Sequence, residues 1–390
     1  MLRFLTAGES HGKSLLGILE GLPAGLLVDV DSIHYQLYRR QCGYGRGGRM
    51  AIERDQIEIL SGVRHGYTLG SPISFSIRNK DWDHWRVPMS IEPVEEGADI
   101  RPATRPRPGH ADLAGALKWQ THDARNILER ASARETASRV AGGAFCRLFL
   151  SHFGTRIASH VIAVGSERVA EEWETLPSEA VFGLDPGAPL HCADRDAEQR
   201  MMKRIDEARE AGETLGGLVE VVAGPIPPGL GSHIQWDRRL DGQIAQALMS
   251  IPSAKAVEIG DGVAGARSRG SDFHDAIYYD PPARRFFRKT NRAGGVEGGI
   301  SNGADLRVRI YLKPIPTLGR PLESADLRSK QPFEAGIERS DTCAVPAAGV
   351  IAEAMLAIVL AGSFLEKFGG DSMKETEANY ANYMRMLDEY

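Results

Sequence analysis

The amino-acid sequence predicts an α+β fold in which antiparallel sheets pack against helices. Segments with strand-like and helix-like patterns occur in clusters and do not alternate regularly, which disfavours a doubly wound parallel sheet. In addition, apolar and polar residues alternate through the segment 305–313, whose apolar positions are Leu306, Val308, Ile310 and Leu312. Such alternation is typical of an antiparallel strand with one face in water.

The other elements follow from the same kinds of pattern. Strand patterns occur at 14–21, 57–59, 72–78, 155–164, 216–224 and 305–313. Helix patterns occur near 29–40, 111–120, 133–152, 197–212, 237–250 and 346–367. Asp31 or Ser32 is the expected N-cap of the first helix, and the third is expected to start at the capping-box spacing of Ser132 and Glu135. The residues after 372 are expected to form an acidic, peripheral tail.

The composition is that of a soluble globular protein. The chain has 390 residues, of which 42% are hydrophobic and 25% are charged, and its formal net charge is −5. A mildly acidic protein lacks the broad basic surface that nucleic-acid binding requires, so no nucleic-acid partner is expected. The basic stretches are better suited to small anions.

Cysteine usage and the N-terminal sequence favour a cytoplasmic protein. The four cysteines have no CxxC pair and no regular spacing, so neither a disulfide framework nor a metal site is expected. The first residues lack the apolar region of a signal peptide. The apolar stretch 345–365 contains Pro346 and Glu353, so we expect a buried helix and no membrane contact.

The segment QCGYGRGGRM at 41–50 has glycines at the spacing of a dinucleotide-binding loop. A Rossmann loop, however, leaves a strand and opens a helix. Here the pattern upstream is helical and the pattern downstream is strand-like, so the context does not fit that fold. No acidic residue occurs from 32 to 52. The loop is therefore predicted to bind small phosphate or carboxylate groups through Arg39, Arg40, Arg46 and Arg49.

Two histidines lie beside glycine in polar loops, where an imidazole can be both accessible and held in place. They are His11, in GESHGKS, and His110, in RPRPGHAD. In the second segment the prolines hold the chain extended and direct Arg105 and Arg107. A surface or purely structural role is the plain alternative for each histidine.

Ser132 and Asp341 each have a structural and a chemical interpretation. Ser132 is suited to cap a helix, and a helix N-terminus flanked by Arg130 and Arg134 is also suited to an anion. Asp341 is suited to cap the helix that starts near Pro346 or to act as a catalytic carboxylate. The cap and the ligand role do not exclude each other for Ser132.

Two further segments contribute backbone that a ligand could approach. The glycines of GGVEGGISNG at 294–303 fit either a flat or phosphorylated ligand or a hairpin turn. In KPIPT at 313–317, two prolines fix the path of the chain. Because no nucleophile elbow and no Walker sequence occurs, hydrolase and phosphotransferase templates fit poorly.

Read in order along positions 4–365, nine segments resemble the signature segments of the chorismate synthase family. They are FLTAGESHG, RRQCGYGRGGRM, SGVRHG, RPGHAD, RASARETASRVAGGA, IPSAKAVEIGDG, NRAGGVEGGISNG, LKPIPT and ERSDTC. The resemblance implies a β-α-β sandwich of antiparallel sheets around a helical layer. It also implies a single domain over 1–390, with long loops near 86–110 and 265–295, and a homotetramer.

The resemblance also implies a reaction. The family carries out a 1,4-anti elimination of phosphate from 5-enolpyruvylshikimate 3-phosphate, which gives chorismate in the last common step of aromatic amino acid biosynthesis. Reduced FMN is required although no net redox change occurs, and in some relatives NADPH is the reductant. Phosphate leaves an allylic carbon readily only if its charge is neutralised, which agrees with the arginine-rich loops.

Residue roles follow from the matching segments. The resemblance implies that His11 is the acid near the departing phosphate, that His110 donates a proton to the reduced flavin, and that Asp341 assists removal of the flavin ring proton. The implied ligands of the substrate or NADP are Arg40, Arg46, Arg49, Arg107 and Arg134. The implied flavin-binding residues are Arg130, Ala131, Ser132, Pro252, Ser253, Gly298, Lys313, Pro314, Ile315, Pro316, Thr317 and Arg339. Ala131 replaces a serine of the family pattern, which removes one hydroxyl contact.

Two alternative functions, a dehydrogenase and an RNA-binding protein, would each require features that can be checked. A nicotinamide-dependent dehydrogenase requires a strand before Gly43, which the sequence does not suggest. An RNA-binding protein would show strong, salt-dependent binding of polyanions, against which the net charge speaks.

Overall fold

The structure is a computed structural model that describes residues 1–47, 54–171, 175–185, 187–338 and 340–390. Its strands are β1 (Arg3–Ala7), β2 (Ser14–Glu20), β3 (Ile57–Ser61), β4 (Val63–Arg64), β5 (Tyr67–Thr68), β6 (Ile73–Arg78), β7 (Arg156–Val164), β8 (Glu167–Arg168), β9 (Gly217–Gly224), β10 (Ala254–Ile259), β11 (Ile277–Asp280), β12 (Arg285–Arg288), β13 (Val296–Glu297), β14 (Ile300–Ser301), β15 (Leu306–Leu312), β16 (Glu323–Ala325) and β17 (Pro332–Glu334). A four-stranded sheet has the order β1-β2-β6-β3, and a five-stranded sheet has the order β10-β15-β9-β7-β8. Every pairing in the two sheets is antiparallel.

The helices are α1 (Val30–Gln41), α2 (Asp112–Trp119), α3 (Arg125–Ala131), α4 (Thr136–His152), α5 (Ser178–Phe182), α6 (Arg195–Glu210), α7 (Leu240–Met249), α8 (Gly262–Gly265), α9 (Gly270–Phe273), α10 (Val345–Phe368) and α11 (Met373–Asp388). Short 3-10 helices lie at Lys80–His84, Ala133–Glu135 and Trp236–Arg238. Helix α4 packs on the four-stranded sheet and on α10, and α10 packs on β7 and β9 of the five-stranded sheet. The two sheets therefore enclose a helical layer, which confirms the α+β sandwich.

One hydrophobic core runs through all three layers, and glycines bring the layers close together. A Cβ atom on Gly143 of α4 would lie 2.5 Å from the Cβ of Ala354 on α10. A Cβ on the adjacent Gly142 would lie 2.4 Å from the ring of Phe4 on β1. These distances are too short for any larger residue, so α4 fits between α10 and the first sheet only with glycine at both positions.

The outer face of β15 is buried, whereas the sequence predicted a face in water. Arg307 and Arg309 are each only 8% exposed. Arg307 Nη1 donates to Glu220 on β9 at 2.8 Å, and Arg309 Nε donates to the same carboxylate at 3.2 Å. Arg309 also donates to the hydroxyl of Thr175 at 3.1 Å, because the segment before α5 covers this face. The strand itself was predicted correctly.

The six predicted strands and six predicted helices all form, with small shifts of their ends. Asp29, and not Asp31 or Ser32, caps α1, because its side chain accepts from the backbone N–H groups of both. Helix α3 was not predicted, and the residues after 372 form helix α11 instead of a tail. Residues 86–110 contain neither helix nor strand, as expected, but the predicted loop near 265–295 contains α9 and the hairpin β11-β12.

Helix α10 is long and apolar enough to cross a membrane, with a mean hydropathy of 2.1 over its most apolar window. However, 78% of that window is buried inside the protein. The helix packs between α4 and the five-stranded sheet, which accounts for its apolar composition. The sequence predicted a buried helix, and this is confirmed.

Candidate active site

A cavity of about 850 Å³ brings together segments that are far apart in the sequence. Its volume is in the range of cavities that enclose small organic ligands. Fifteen of the residues singled out from the sequence line it, and they are His11, Arg40, Arg46, Arg107, His110, Ala131, Ser132, Arg134, Pro252, Ser253, Lys313, Ile315, Pro316, Thr317 and Asp341. Folding thus gathers candidate proton donors, cations and backbone from all parts of the chain.

The remaining candidates do not line the cavity or cannot be placed. Arg130 donates to Thr6 O at 2.9 Å and to Gly8 O at 3.1 Å, and so attaches the end of α3 to β1. Gly298 lies in the turn of the β13-β14 hairpin, so the hairpin interpretation of this glycine-rich segment is correct. Pro314 lies between two lining residues without lining the cavity itself. Arg49 and Arg339 lie outside the described residues.

The glycine- and arginine-containing loop follows a helix, as predicted, since α1 ends at Gln41. Gly45 has a φ of +89°, and its carbonyl oxygen accepts from Thr342 N at 2.9 Å. A Cβ on Gly45 would lie 2.9 Å from the Cβ of Cys343. The loop is therefore held against the segment 340–343, which places Arg46 beside Asp341.

Two buried arginines share one aspartate at the wall of the cavity. Arg40 Nη2 lies 2.7 Å from Asp55, and Arg134 Nη1 lies 2.6 Å from the same carboxylate. Burial acts to raise the pKa of Asp55, but the two guanidinium groups outweigh it and hold the pKa below its ordinary value. Two cations and one anion leave a positive excess here. The buried Nε of Arg40 has no hydrogen-bond partner among the described residues, so this site favours an anion.

His11 is held by contacts on its edge and on its face. Its Nδ1 lies 2.9 Å from Oε1 of Glu129, and its backbone N–H donates to Oε2 at 2.8 Å. The imidazole also stacks on Trp85, with 4.0 Å between ring centroids. Burial acts to raise the pKa of Glu129, but the hydrogen bonds from His11 lower it below its ordinary value. The carboxylate therefore stays ionised at neutral pH.

His110 is held in a similar way by Asp112. Its Nδ1 lies 2.5 Å from Oδ1 of Asp112, and Arg107 Nε donates to Oδ2 at 2.9 Å. Burial acts to raise the pKa of Asp112, but hydrogen bonds from His110 and Arg107 hold it well below its ordinary value. Arg107 Nη1 also donates to Thr317 at 3.0 Å. Arg107, predicted as a ligand of the substrate, thus binds groups of the protein that fix the His110 loop.

Asp341 is not the cap of α10, which corrects one of its two interpretations. The N-cap of that helix is Ala344, with no side-chain hydrogen bond. Asp341 Oδ1 instead accepts from the backbone N–H of Gly47 at 2.6 Å, and Oδ2 lies 2.6 Å from Arg46 Nη1. The carboxylate is 19% exposed and faces the cavity. Asp341 therefore holds the loop that contains Gly47 and Arg46, and its side chain makes no capping hydrogen bond to α10.

Several residues that hold this site together were not singled out from the sequence, and Glu129, Asp112, Asp55 and Trp85 are among them. Glu129 and Asp112 occur inside ERASARET and RPRPGHAD, where the sequence pattern points to other residues of the two segments. The signal that could have identified Asp112 is a carboxylate in the same loop as a candidate histidine, whereas Glu129 is 118 positions from His11 and has no such signal. Asp55 and Trp85 carry no such signal, because only the tertiary structure places them beside Arg40 and His11.

Comparison with known proteins gives one consistent family. The family model described as chorismate synthase matches residues 2–365. Chorismate synthase of Solibacter usitatus (strain Ellin6076) is 54% identical over 392 residues, which cover 100% of each chain. That of Geobacter sulfurreducens (strain ATCC 51573 / DSM 12127 / PCA) is 55% identical over 393 residues, which cover 99% of each. A solved structure titled "Crystal Structure of Chorismate Synthase" is 44% identical, with a TM-score of 0.80 and coverage of 100% of this chain and 99% of that one.

Proposed function

The chain belongs to the chorismate synthase family of carbon–oxygen lyases, and from this premise we propose that it eliminates phosphate from 5-enolpyruvylshikimate 3-phosphate with reduced FMN as cofactor. The family makes chorismate in the shikimate pathway, and membership implies a flavin-dependent reaction. The observation that carries the proposal is that His11, His110 and a cluster of buried arginines line one cavity.

The residues of the cavity fit a flavin beside an anionic substrate. The apolar residues of the lining include Leu128, Ile315, Pro316, Val345 and Ile351, which suit a flat ring system. A phosphate requires cations and hydrogen-bond donors, which the arginines of the cavity and the hydroxyl of Ser132 provide. The residues that would hold the flavin are those of segments 131–132, 252–253 and 313–317 that line the cavity.

Anion binding is assigned to the arginines that carry a positive excess. Arg40 and Arg134 share Asp55, so the pair retains one net positive charge for phosphate or carboxylate. Arg46 has Asp341 as its counter-ion, and an incoming anion would compete with that carboxylate. The guanidinium groups neutralise charge that develops on the leaving phosphate, which is where preorganised cations lower a barrier most.

Proton transfer is assigned to the three titratable residues. With the flavin bound, His11 would protonate the departing phosphate, His110 would hold a proton for the reduced flavin, and Asp341 would assist removal of the flavin ring proton. A bound reduced flavin supplies electron density that weakens the carbon–oxygen bond and recovers it afterwards. Arg46 and the backbone N–H of Gly47 each occupy one oxygen of Asp341, so an Arg46 side chain that turned to the substrate would leave Oδ2 open to a proton.

The same proposal includes a cytoplasmic homotetramer that can use NADPH to reduce its flavin. Exposed apolar side chains on the hairpin β11-β12 support association between copies, since Ile277 is 62% and Phe286 is 57% exposed. Sedimentation of the purified protein as a monomer would contradict the tetramer.

The proposed function is tested by anaerobic incubation of the protein with 5-enolpyruvylshikimate 3-phosphate. We expect release of inorganic phosphate together with chorismate when reduced FMN is present, and neither product with oxidised FMN. We also expect oxidised FMN to bind tightly only when the substrate is present, because Arg40 and Arg134 carry a positive excess that the anionic substrate neutralises. Equal affinity for FMN with and without substrate, or no phosphate release with reduced FMN, would overturn the proposal.

Asp341→Asn is expected to leave folding unchanged and to lower turnover by about 10²-fold, which is the lower end of the usual contribution of a positioned acid–base group. The amide still accepts from Gly47 N–H, but it turns a donor toward Arg46 and breaks the ion pair. Because the released Arg46 is available to the substrate, KM is not expected to rise. Steady-state kinetics and thermal unfolding measure the two effects. Near-normal turnover would remove Asp341 from proton transfer.

A further inference from the structure

Two buried carboxylates contact the two candidate proton donors in the same way. Glu129 and Asp112 have side chains that are 1% and 2% exposed. Each approaches Nδ1 of its histidine, at 2.9 Å for His11 and 2.5 Å for His110. We propose that Glu129 and Asp112 are positioning residues, which keep a proton on Nδ1 and present Nε2 to the cavity. This proposal rests on the proposed function, because it assumes that both histidines transfer protons.

The carboxylates themselves are held in place by arginines. Arg125 Nη1 donates to Glu129 Oε1 at 3.2 Å, one helical turn away on α3. Arg107 donates to Asp112 through its backbone N–H at 3.1 Å and through Nε at 2.9 Å. A carboxylate that accepts from several donors cannot rotate freely. Because each histidine ring contacts such a carboxylate, the orientation of the ring is fixed as well.

The position of the proton follows from what each group can donate. An ionised carboxylate only accepts hydrogen bonds, so Nδ1 of the facing imidazole must be the donor. The lowered pKa values of Glu129 and Asp112 keep both groups ionised at neutral pH.

Among the other charged groups near the rings, Arg107 Nη2 lies 3.1 Å from Nδ1 of His110, but the carboxylate of Asp112 is closer to that nitrogen, at 2.5 Å. Asp81 is close enough for His11 to lower its pKa, but its hydrogen bonds go to His84 and Trp85. Lys313 donates to the carbonyl oxygen of Gly109, so its ammonium group lies beside the loop that contains His110. Glu129 and Asp112 are thus the carboxylates in direct contact with the reactive rings.

The first test is nitrogen-15 spectroscopy of the histidines in the protein without substrate or cofactor. Signals of His11 and His110 are assigned by their loss in His11→Ala and His110→Ala. We expect both rings to carry a proton on Nδ1 at neutral pH. A spectrum in which Nδ1 is an acceptor in either ring overturns the proposal without reference to activity. Correct ring protons together with no phosphate release would contradict the proposed function alone.

The second test exchanges each carboxylate for its amide. In Glu129→Gln one carboxylate oxygen becomes an N–H₂ group, although the backbone N–H of His11, its Nδ1 and Arg125 Nη1 all face the two oxygens of the native carboxylate. Whichever way the amide turns, the charged group that holds Nδ1 as a donor is lost. We expect turnover to fall about 10²-fold and the pH profile to differ from that of the wild type. Asp112→Asn should act in the same way on His110, and it provides a second variant if Glu129→Gln does not fold.

The chain offers a matched control on its surface. His152 Nε2 lies 2.7 Å from Glu377, and both side chains are 45% exposed. Glu377→Gln removes the same kind of contact far from the cavity, so neither turnover nor the pH profile should change. A folded Glu129→Gln or Asp112→Asn variant with the turnover and pH profile of Glu377→Gln would overturn the proposal.

Discussion

His11→Ala and His110→Ala should each lower turnover by roughly 10²- to 10⁴-fold, which is the usual worth of a positioned general acid. Both imidazoles line the cavity, and the side chains of His11 and His110 are 12% and 15% exposed. The loss should appear in turnover and much less in substrate affinity, because the buried arginines that would bind the anion remain. Single-turnover rates under anaerobic conditions measure the effect directly.

Folding should survive both substitutions, because the buried carboxylates keep other partners. Glu129 retains Arg125 and the backbone N–H of residue 11, and Asp112 retains Arg107. His152→Ala, which removes an exposed histidine on α4, serves as the control for loss of an imidazole without loss of a proton donor. Turnover within about twofold of the wild type in either cavity variant would return that histidine to a structural role.

Glu353→Gln should destabilise the protein by about 3–5 kcal/mol, the usual cost of removing one partner from a buried ion pair. Glu353 on α10 is 1% exposed and accepts hydrogen bonds from Arg39 of α1 at 2.6 Å, Arg147 of α4 at 2.8 Å and Ser159 of β7 at 2.7 Å. An amide offers one acceptor where two guanidinium groups require a charge, so both arginines lose their counter-ion. Urea unfolding measures the change.

The pH dependence gives an independent check on Glu353. Burial acts to raise its pKa, but Arg39, Arg147 and Ser159 lower it from 4.5 to about 2. A lowered pKa contributes stability that is complete above the unfolded value and is lost as the pH falls toward the folded value. The difference in unfolding free energy between wild type and Glu353→Gln should therefore narrow as the pH falls from about 4.5 toward about 2.

A matched substitution on the same helix separates burial from charge. Glu366 of α10 pairs with Arg238 at 2.5 Å, but its side chain is 49% exposed. Glu366→Gln should change the unfolding free energy by at most about 1 kcal/mol, as is usual for exposed pairs. Equal effects of the two substitutions would show that the buried cluster contributes no more than a surface ion pair.

The amino-acid sequence by itself determined six strands of the two main sheets, six helices and the regions that form the site. The apolar run of α10 and the alternation of β15 are local patterns, and the periodicity of a helix or strand depends on neighbouring residues only. The glycine loop was distinguished from a Rossmann loop in the same way, by the helix before it. Segment resemblance identified the family, which the comparisons then confirmed.

Only the tertiary structure decided which groups meet. Glu129 and His11 are 118 positions apart, and Asp341 meets Gly47 across 294 positions, so no local pattern relates them. The position of Asp341 before α10 allowed a helix cap or a catalytic carboxylate, and the close approach of the glycine loop gives its side chain an N–H and a guanidinium group instead of the cap. Likewise, β15 was expected to face water because its arginines alternate with apolar residues. The segment before α5 covers that face, and the carboxylate of Glu220 on the adjacent strand makes burial of Arg307 and Arg309 possible.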